Sequence, residues 1–206
     1  MIGYPPLLPN QYFHIVHRAV GNELLFVDNG NKDYFLQQYT KYIAPTVHTL
    51  AYCLLPNHFH FVVRIKSEVE LAVMFKRKFP FREWYPSLAA DFLMQYWSNL
   101  LNSYTKSFNK KYRRKGALFM DYLRRVEIVS NEQCCATIFY VHSNPVHHGY
   151  CKKMEDWAFS SYNFWMKSEG SIILSNEGFF EVFDNVEDFK KFHEQPIYLK
   201  GTAGLE

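Results

Sequence analysis

The chain has 206 residues, 48% hydrophobic and 18% aromatic, with a formal charge of +3. That length and apolar content suit one domain with a substantial core and exclude wholesale disorder. No apolar run approaches the ~18–20 residues that cross a bilayer, MIGYPPLLPNQ lacks the pattern of a secretory leader, and four cysteines (Cys53, Cys134, Cys135, Cys151) without a CxxC pair imply a reduced, cytoplasmic protein.

Tyr12 to Ala19 alternates as a strand does. Asp28-Asn29-Gly30-Asn31 is a turn cluster. Asp33 is a candidate N-cap for a helix whose Phe35, Leu36, Tyr39, Tyr42 and Ile43 share a face, and Pro45 ends it. Val47 to Leu55 reads as a buried strand, with Cys53 as a small core residue. Pro56-Asn57 breaks the run, and His58 to Lys66 resumes as another strand, making a hairpin or a bent continuation. Val69 to Arg77 predicts a helix, Phe79 to Pro86 a loop, and Ser87 to Lys111 a long helix. Beyond the basic turn at Arg113-Arg114-Lys115-Gly116, Leu118 to Val129 predicts a strand. Ser130, with Gln133 three residues on, signals a helix from about Asn131 to Ser143, closed by Asn144-Pro145. The order β-α-β-β-α-β-α predicts an α+β fold, a ferredoxin-like antiparallel sheet with helices on one face. Residues 1–168 form the expected domain. Residues 169–206, eight acidic against three basic, form an acidic C-terminal extension, either an appendage or a tail that folds back.

The small net charge hides an asymmetry. Arg64 to Arg125 holds fourteen basic and five acidic residues, a net +9, while the rest of the chain carries −6. Aromatic residues such as Trp84, Tyr96, Trp97, Tyr104, Phe108 and Tyr112 interleave with the charges. Such a block can bind phosphates and stack bases, and Lys76, Arg77, Lys78, Arg82, Lys106, Lys110, Lys111, Arg113, Arg114, Lys115, Arg124 and Arg125 are the candidate DNA-binding residues. A solvated face with snorkelling lysines is the alternative, and charge alone leaves both open.

His58-Phe59-His60 is the strongest chemical feature. Residues i and i+2 of a strand share a face, so both imidazoles point one way while Phe59 enters the core. Two such rings suit a divalent metal, and the polar outer face of an edge strand is the alternative. Tyr140 and Asn144 stand four apart on the later helix, aiming a hydroxyl and an amide oxygen at one place. Asn144 is thus a candidate third ligand and Tyr140 a candidate nucleophile. The alternative packs Tyr140 at a seam and uses Asn144 as a cap. His14 and His17 do not share a strand face, His142 lies about 200° round the helix from Tyr140, and His147-His148 are expected on an exposed loop.

LLPNHFHFVV (Leu54 to Val63), KSFNKKYRRKGALF (Lys106 to Phe119), YVHSNPVHHGY (Tyr140 to Tyr150) and DWAFSSY (Asp156 to Tyr162) together resemble the REP-associated tyrosine transposases, within the single-tyrosine HUH transposases of insertion sequences. The likeness spans roughly Tyr12 to Tyr162. It implies that 1–168 is a ferredoxin-like catalytic domain that cuts and rejoins single-stranded DNA at hairpin or palindromic ends. It also implies Mg2+ or Mn2+ held by His58 and His60, and a 5′-phosphotyrosine link formed at Tyr140 with release of a 3′-OH. The insertion-sequence relatives place a glutamine where this chain has Asn144, one methylene shorter. The resemblance further implies a cytoplasmic, nucleoid-associated protein acting as a monomer, or as a homodimer that exchanges its tyrosine helix. A catalytically idle hairpin-binding descendant is the second reading. A zinc hydrolase is a third, without an HExxH or cysteine pair to support it.

Overall fold

Proline and asparagine at 56–57 interrupt a long apolar run, and there the chain reverses. The structure, a computed structural model, describes residues 4–167 and 173–194. Its elements run β1 (Tyr12–Arg18), α1 (Asn29–Tyr42), β2 (Val47–Leu55), β3 (His58–Ile65), α2 (Glu68–Lys78), α3 (Ala89–Lys111), β4 (Arg124–Ile128), α4 (Asn131–His147), α5 (Tyr162–Lys167), α6 (Asn176–Phe180) and α7 (Val186–Glu194). β2 and β3 form the hairpin, with Leu55 opposite His58. The carbonyls of Pro56 and Asn57 accept amides of Leu25, Phe26 and Ala19, so the turn is anchored to the loop after β1. The four strands form one antiparallel sheet in the order β2-β3-β1-β4, the ferredoxin-like arrangement.

β3 lies inside the sheet, not at its edge, and its two faces feed two cores. Phe59, Phe61, Val63 and Ile65 point with Phe13 and Ile15 toward α1 and α3, where Phe35, Tyr39, Trp97, Leu100 and Tyr104 are buried. Tyr39 stacks on Phe61 at 4.2 Å between ring centroids, and its hydroxyl bonds Thr49 Oγ1 at 2.7 Å. Val62, Leu50, Ala51 and Cys53 point the other way, against Ile138 and Val141 of α4 and against Trp165, Phe179 and Phe189. The expected α+β antiparallel sheet is present, but helices cover both of its faces instead of one. That double burial explains the apolar run Leu50 to Leu55 in β2: all nine residues of the strand are buried, His48 and Thr49 included.

Three boundaries differ from the sequence expectation. Asp28, not Asp33, caps α1. Its Oδ1 accepts the Asn31 amide at 2.8 Å while Asn31 Oδ1 accepts the amides of Val27 and Asp28, so the turn cluster is itself a capping box. β4 is only five residues long, because Leu118 and Phe119 bury themselves against the α3 side of the sheet. α4 runs through Pro145 to His147. A proline removes its own amide from the ladder and its ring crowds the carbonyl four residues back, but near a helix end the next bond, from the His148 amide to the Asn144 carbonyl, still forms at 2.9 Å.

The described part of the acidic extension, 173–194, lies back on the second face. Phe179 stacks on Trp165 at 4.0 Å. Glu177 and Glu181 close on Arg64 at 3.0 and 2.8 Å. Residues 169–172 and 195–206 of the extension lie outside the described residues.

Phe61 joins both sheet neighbours to α1 and α3. Phe61→Ala is therefore expected to cost about 3–5 kcal/mol, measured as a lowered midpoint of urea unfolding.

Candidate active site

The second face of the sheet becomes polar at one end. β3 alternation puts His58 and His60 on this face, and β1 alternation puts His14, Val16 and Arg18 there, with Val16 opposite His60 and Arg18 opposite His58. α4 crosses above them. Tyr140 and Asn144, one helical turn apart, are both buried on the underside of that helix. His148 stands at its C-cap. Val16, Arg18, His58, His60, Tyr140 and His148 enclose a cavity of about 40 Å3.

The ring geometry is specific. The Tyr140 ring stands edge-on to His60 at 5.7 Å and to His14 at 6.0 Å between centroids. His58 lies 4.9 Å from His60 and 5.2 Å from His148. Each motif histidine has its Nδ1 held. His58 Nδ1 lies 2.7 Å from Asn57 Oδ1. An amide oxygen can only accept, so the proton sits on Nδ1 and the lone pair on Nε2. His60 Nδ1 lies 2.9 Å from His14 Nε2, in rings only 10° from coplanar. His60 Nε2 and both polar atoms of the Asn144 amide are buried without a hydrogen-bond partner. The Asn144 amide nonetheless approaches His58 closely enough to favour its charged form slightly, in a geometry short of a hydrogen bond.

Burial dominates the electrostatics. It pushes His58 down to about 4, with the neighbouring His148 and the Arg18 guanidinium adding to the effect. Burial and the adjacent His14 and His58 hold His60 well below the usual histidine value, and burial takes His14 to about 3. All three rings are therefore neutral at pH 7, which leaves nitrogen lone pairs available. Two imidazoles and an amide oxygen can together bind a cation that completes its shell with water or phosphate oxygens. Among the described residues no group of three His, Cys, Asp or Glu has metal-holding geometry.

The structure thus brings His58, His60, Tyr140 and Asn144 together. Within one chain it adds three residues the sequence reading set aside or passed over: His14, Arg18 and His148. Only strand register could have found His14 and Arg18, since both lie forty or more residues from the motif. His147 ends α4 and His148 caps it, so they are not in a loop as expected, because the helix runs on past Pro145. His142 does face elsewhere. It bonds His193 at 3.0 Å and Ser161 at 2.8 Å beneath α7.

The candidate DNA-binding residues do not gather on one surface. Lys76, Arg77, Lys78 and Arg82 lie around the end of α2, with Lys78 over Tyr96 and Arg82 over Phe79. Lys106, Lys110, Lys111, Arg113, Arg114 and Lys115 follow the end of α3, where Lys111 pairs with Asp28 and Arg114 with Glu23. Arg124 and Arg125 are on β4, and Arg125 bonds the Pro5 carbonyl. Tyr104 and Tyr112 are not at the histidines. Their hydroxyls bond the Leu25 carbonyl and Asp28 with Asn31, on the α1–α3 side.

Comparison with known proteins gives two likenesses. Over 127 residues, 59% of this chain, the sequence is 26% identical to a Haemophilus influenzae protein named "Putative REP-associated tyrosine transposase"; the match spans about three fifths, 62%, of that relative's length. The fold matches a solved structure of a REP-associated tyrosine transposase bound to a REP hairpin, with a TM-score of 0.57 over 85% of this chain and 92% of that one, at 13% identity. No family model matches. The resemblance read from the motifs is met both by a sequence relative and by a fold neighbour.

Several histidines are kept neutral by burial, with His17 and His193, like His58, pushed down to about 4. The unfolded chain, with histidines near 6.5, binds more protons below that pH than the fold does. Stability is therefore complete above about pH 6.5 and is lost as pH falls toward 4, by up to about 1.4 kcal/mol per pH unit for each histidine. Urea midpoints are expected to fall steadily from pH 7 to 4.5. His17→Phe, on the opposite sheet face, flattens that slope.

Proposed function

We propose that the chain is a metal-dependent strand transferase acting on hairpin-tailed single-stranded DNA, with Tyr140 as nucleophile. The observation that carries the reading is the approach of Tyr140 to His60 across some eighty residues of sequence, in one cavity with His58 and with Asn144 on the same helix face. The two likenesses support the class of substrate. The hydroxyl of Tyr140 attacks a backbone phosphorus as its proton leaves. The O3′–P bond breaks, the 3′ oxygen takes up a proton, and a 5′-phosphotyrosine link remains until another 3′-OH reverses the step.

The donors fit a divalent ion such as Mg2+ or Mn2+: His60 Nε2 and the Asn144 oxygen are buried polar atoms without a hydrogen-bond partner, and His58 presents an Nε2 lone pair. Such an ion would supply Lewis-acid polarisation of the phosphate oxygens. The chain's own contribution is orientation. Asn57 and His14 hold the two imidazoles through Nδ1, the arrangement that fixes a metal ligand's tautomer and direction. α4 excludes water from Tyr140. Arg18, exposed and beside both histidines, offers a guanidinium to the phosphate.

The idle hairpin-binding reading draws on one observation, the lack of a third His, Cys, Asp or Glu ligand among the described residues. The same observation leaves the zinc hydrolase without a ligand set.

Incubation with a tailed DNA hairpin and Mn2+ is expected to give a covalent adduct on a denaturing gel. Tyr140→Phe is expected to lose the adduct and keep hairpin binding within about twofold. An adduct surviving in that variant overturns the assignment, and a wild-type chain that binds the hairpin without an adduct favours the idle reading. His14→Phe keeps an aromatic ring at that position but offers no acceptor for His60. It is expected to weaken Mn2+ binding, read by titration calorimetry, by roughly 10- to 100-fold.

A further inference from the structure

The cavity among the histidines, about 40 Å3, is far below the roughly 300–1,000 Å3 of small-ligand sites. It admits a phosphate oxygen but not a sugar or a base. A nucleotide flanking the attacked phosphate must therefore lie outside it. A second cavity of about 440 Å3 adjoins the first, and Val16 and Arg18 line both. That volume is within the range of small-ligand sites.

The walls of this second cavity suit a nucleotide. Arg18 stands at the junction, and no ion pair engages it among the described residues. Arg124, the β4 partner of Val16, also lines the cavity. Tyr4, Met120 and Tyr122 supply apolar and aromatic surface, and Tyr122 is 72% exposed. His17 lies behind them, its ring stacked on Phe119 at 5.1 Å. Arg125 bonds the Pro5 carbonyl and packs over the Tyr4 ring at 5.8 Å, so one of the arginines assigned to DNA from sequence instead holds a wall of the cavity. The exposed carboxylate of Asp121 also faces this space. It would repel a phosphate, but it is a hydrogen-bond acceptor for the exocyclic amine of a base.

We propose that this cavity receives one unpaired nucleotide next to the phosphate attacked by Tyr140. Arg18 binds the phosphate, Tyr122 stacks on the base, and Asp121 accepts from the base's amino group. Adenine, cytosine and guanine carry such an amine and thymine does not, so the cavity discriminates against thymine at that position. The proposal rests on the strand-transfer reading and adds to it where the substrate's unpaired tail is read.

The test uses the full chain carrying Tyr140→Phe and a tailed DNA hairpin. A single 2-aminopurine, which carries an amine, is moved through the tail one position at a time. Its fluorescence is expected to quench at one position, adjoining the phosphate at which the wild-type protein forms its adduct. Tyr122→Ala, an exposed substitution that leaves the core intact, should abolish that quench and weaken binding roughly 5- to 100-fold. Asp121→Ala should erase the preference against thymine at the same position. Binding of the hairpin without a quenched tail position, or a quench indifferent to Tyr122→Ala, overturns the proposal. An adduct without the quench sinks the cavity assignment alone, and a quench without any wild-type adduct sinks the strand-transfer reading alone.

Discussion

The candidate site depends on α4 lying across the second face of the sheet. Without that helix, His58 and His60 would be two solvated imidazoles on an open strand, with ordinary titration and free rotation. Beneath it they are neutral, fixed through Nδ1, and faced by the one tyrosine that α4 carries on its underside. Desolvation of ionisable rings is costly, and the fold accepts that cost at several histidines. The compensating contacts are local and specific: Asn57 for His58 and His14 for His60.

The acidic extension contributes to that roof. α6 packs on β2 and on Trp165 of α5, α7 packs on α5, and His193 of α7 bonds His142 on the upper side of α4, two residues from Tyr140. Glu177 and Glu181 pair with Arg64, and Tyr12 bonds Glu181. One charge of the sequence's basic block is thus neutralised by the acidic tail. The near balance of +9 against −6 is partly an intramolecular pairing and not only two surfaces of opposite sign. Lys111 with Asp28 and Arg114 with Glu23 do the same at the far end of α3.

Much of the fold was legible in the sequence because its signals are local. The bounds of β2 follow from an apolar run ended by proline, and α2 and α3 from helical spacing. Ser130 marks the start of α4, its hydroxyl accepting the Gln133 amide. The misplaced features are those where a local signal has two meanings. Asp28-Asn29-Gly30-Asn31 reads as a turn, and its side chains make it the first turn of a helix. Asn144-Pro145 reads as a stop, but a proline one turn from a helix end removes a single bond. Leu118 to Leu123 reads as strand, but Leu118, Phe119 and Leu123 are apolar for another reason, their burial in the core on the α3 side, while Met120 and Tyr122 are exposed.

The sequence by itself determined which residues share a face. The two-residue period of β3 puts His58 with His60, and the 3.6-residue period of α4 puts Tyr140 with Asn144. Both are properties of a short stretch of backbone, independent of what lies opposite. Only the tertiary structure decided what those faces meet. The antiparallel register of β1 against β3 sets Val16 beside His60, which carries His14 and Arg18 into the site. The helix past Pro145 brings in His148, and the covering of both sheet faces turns an apparent surface into a buried pocket. Register and layer order arise from hydrogen bonds and packing between distant segments, whereas the period of one strand fixes which of its own side chains share a face.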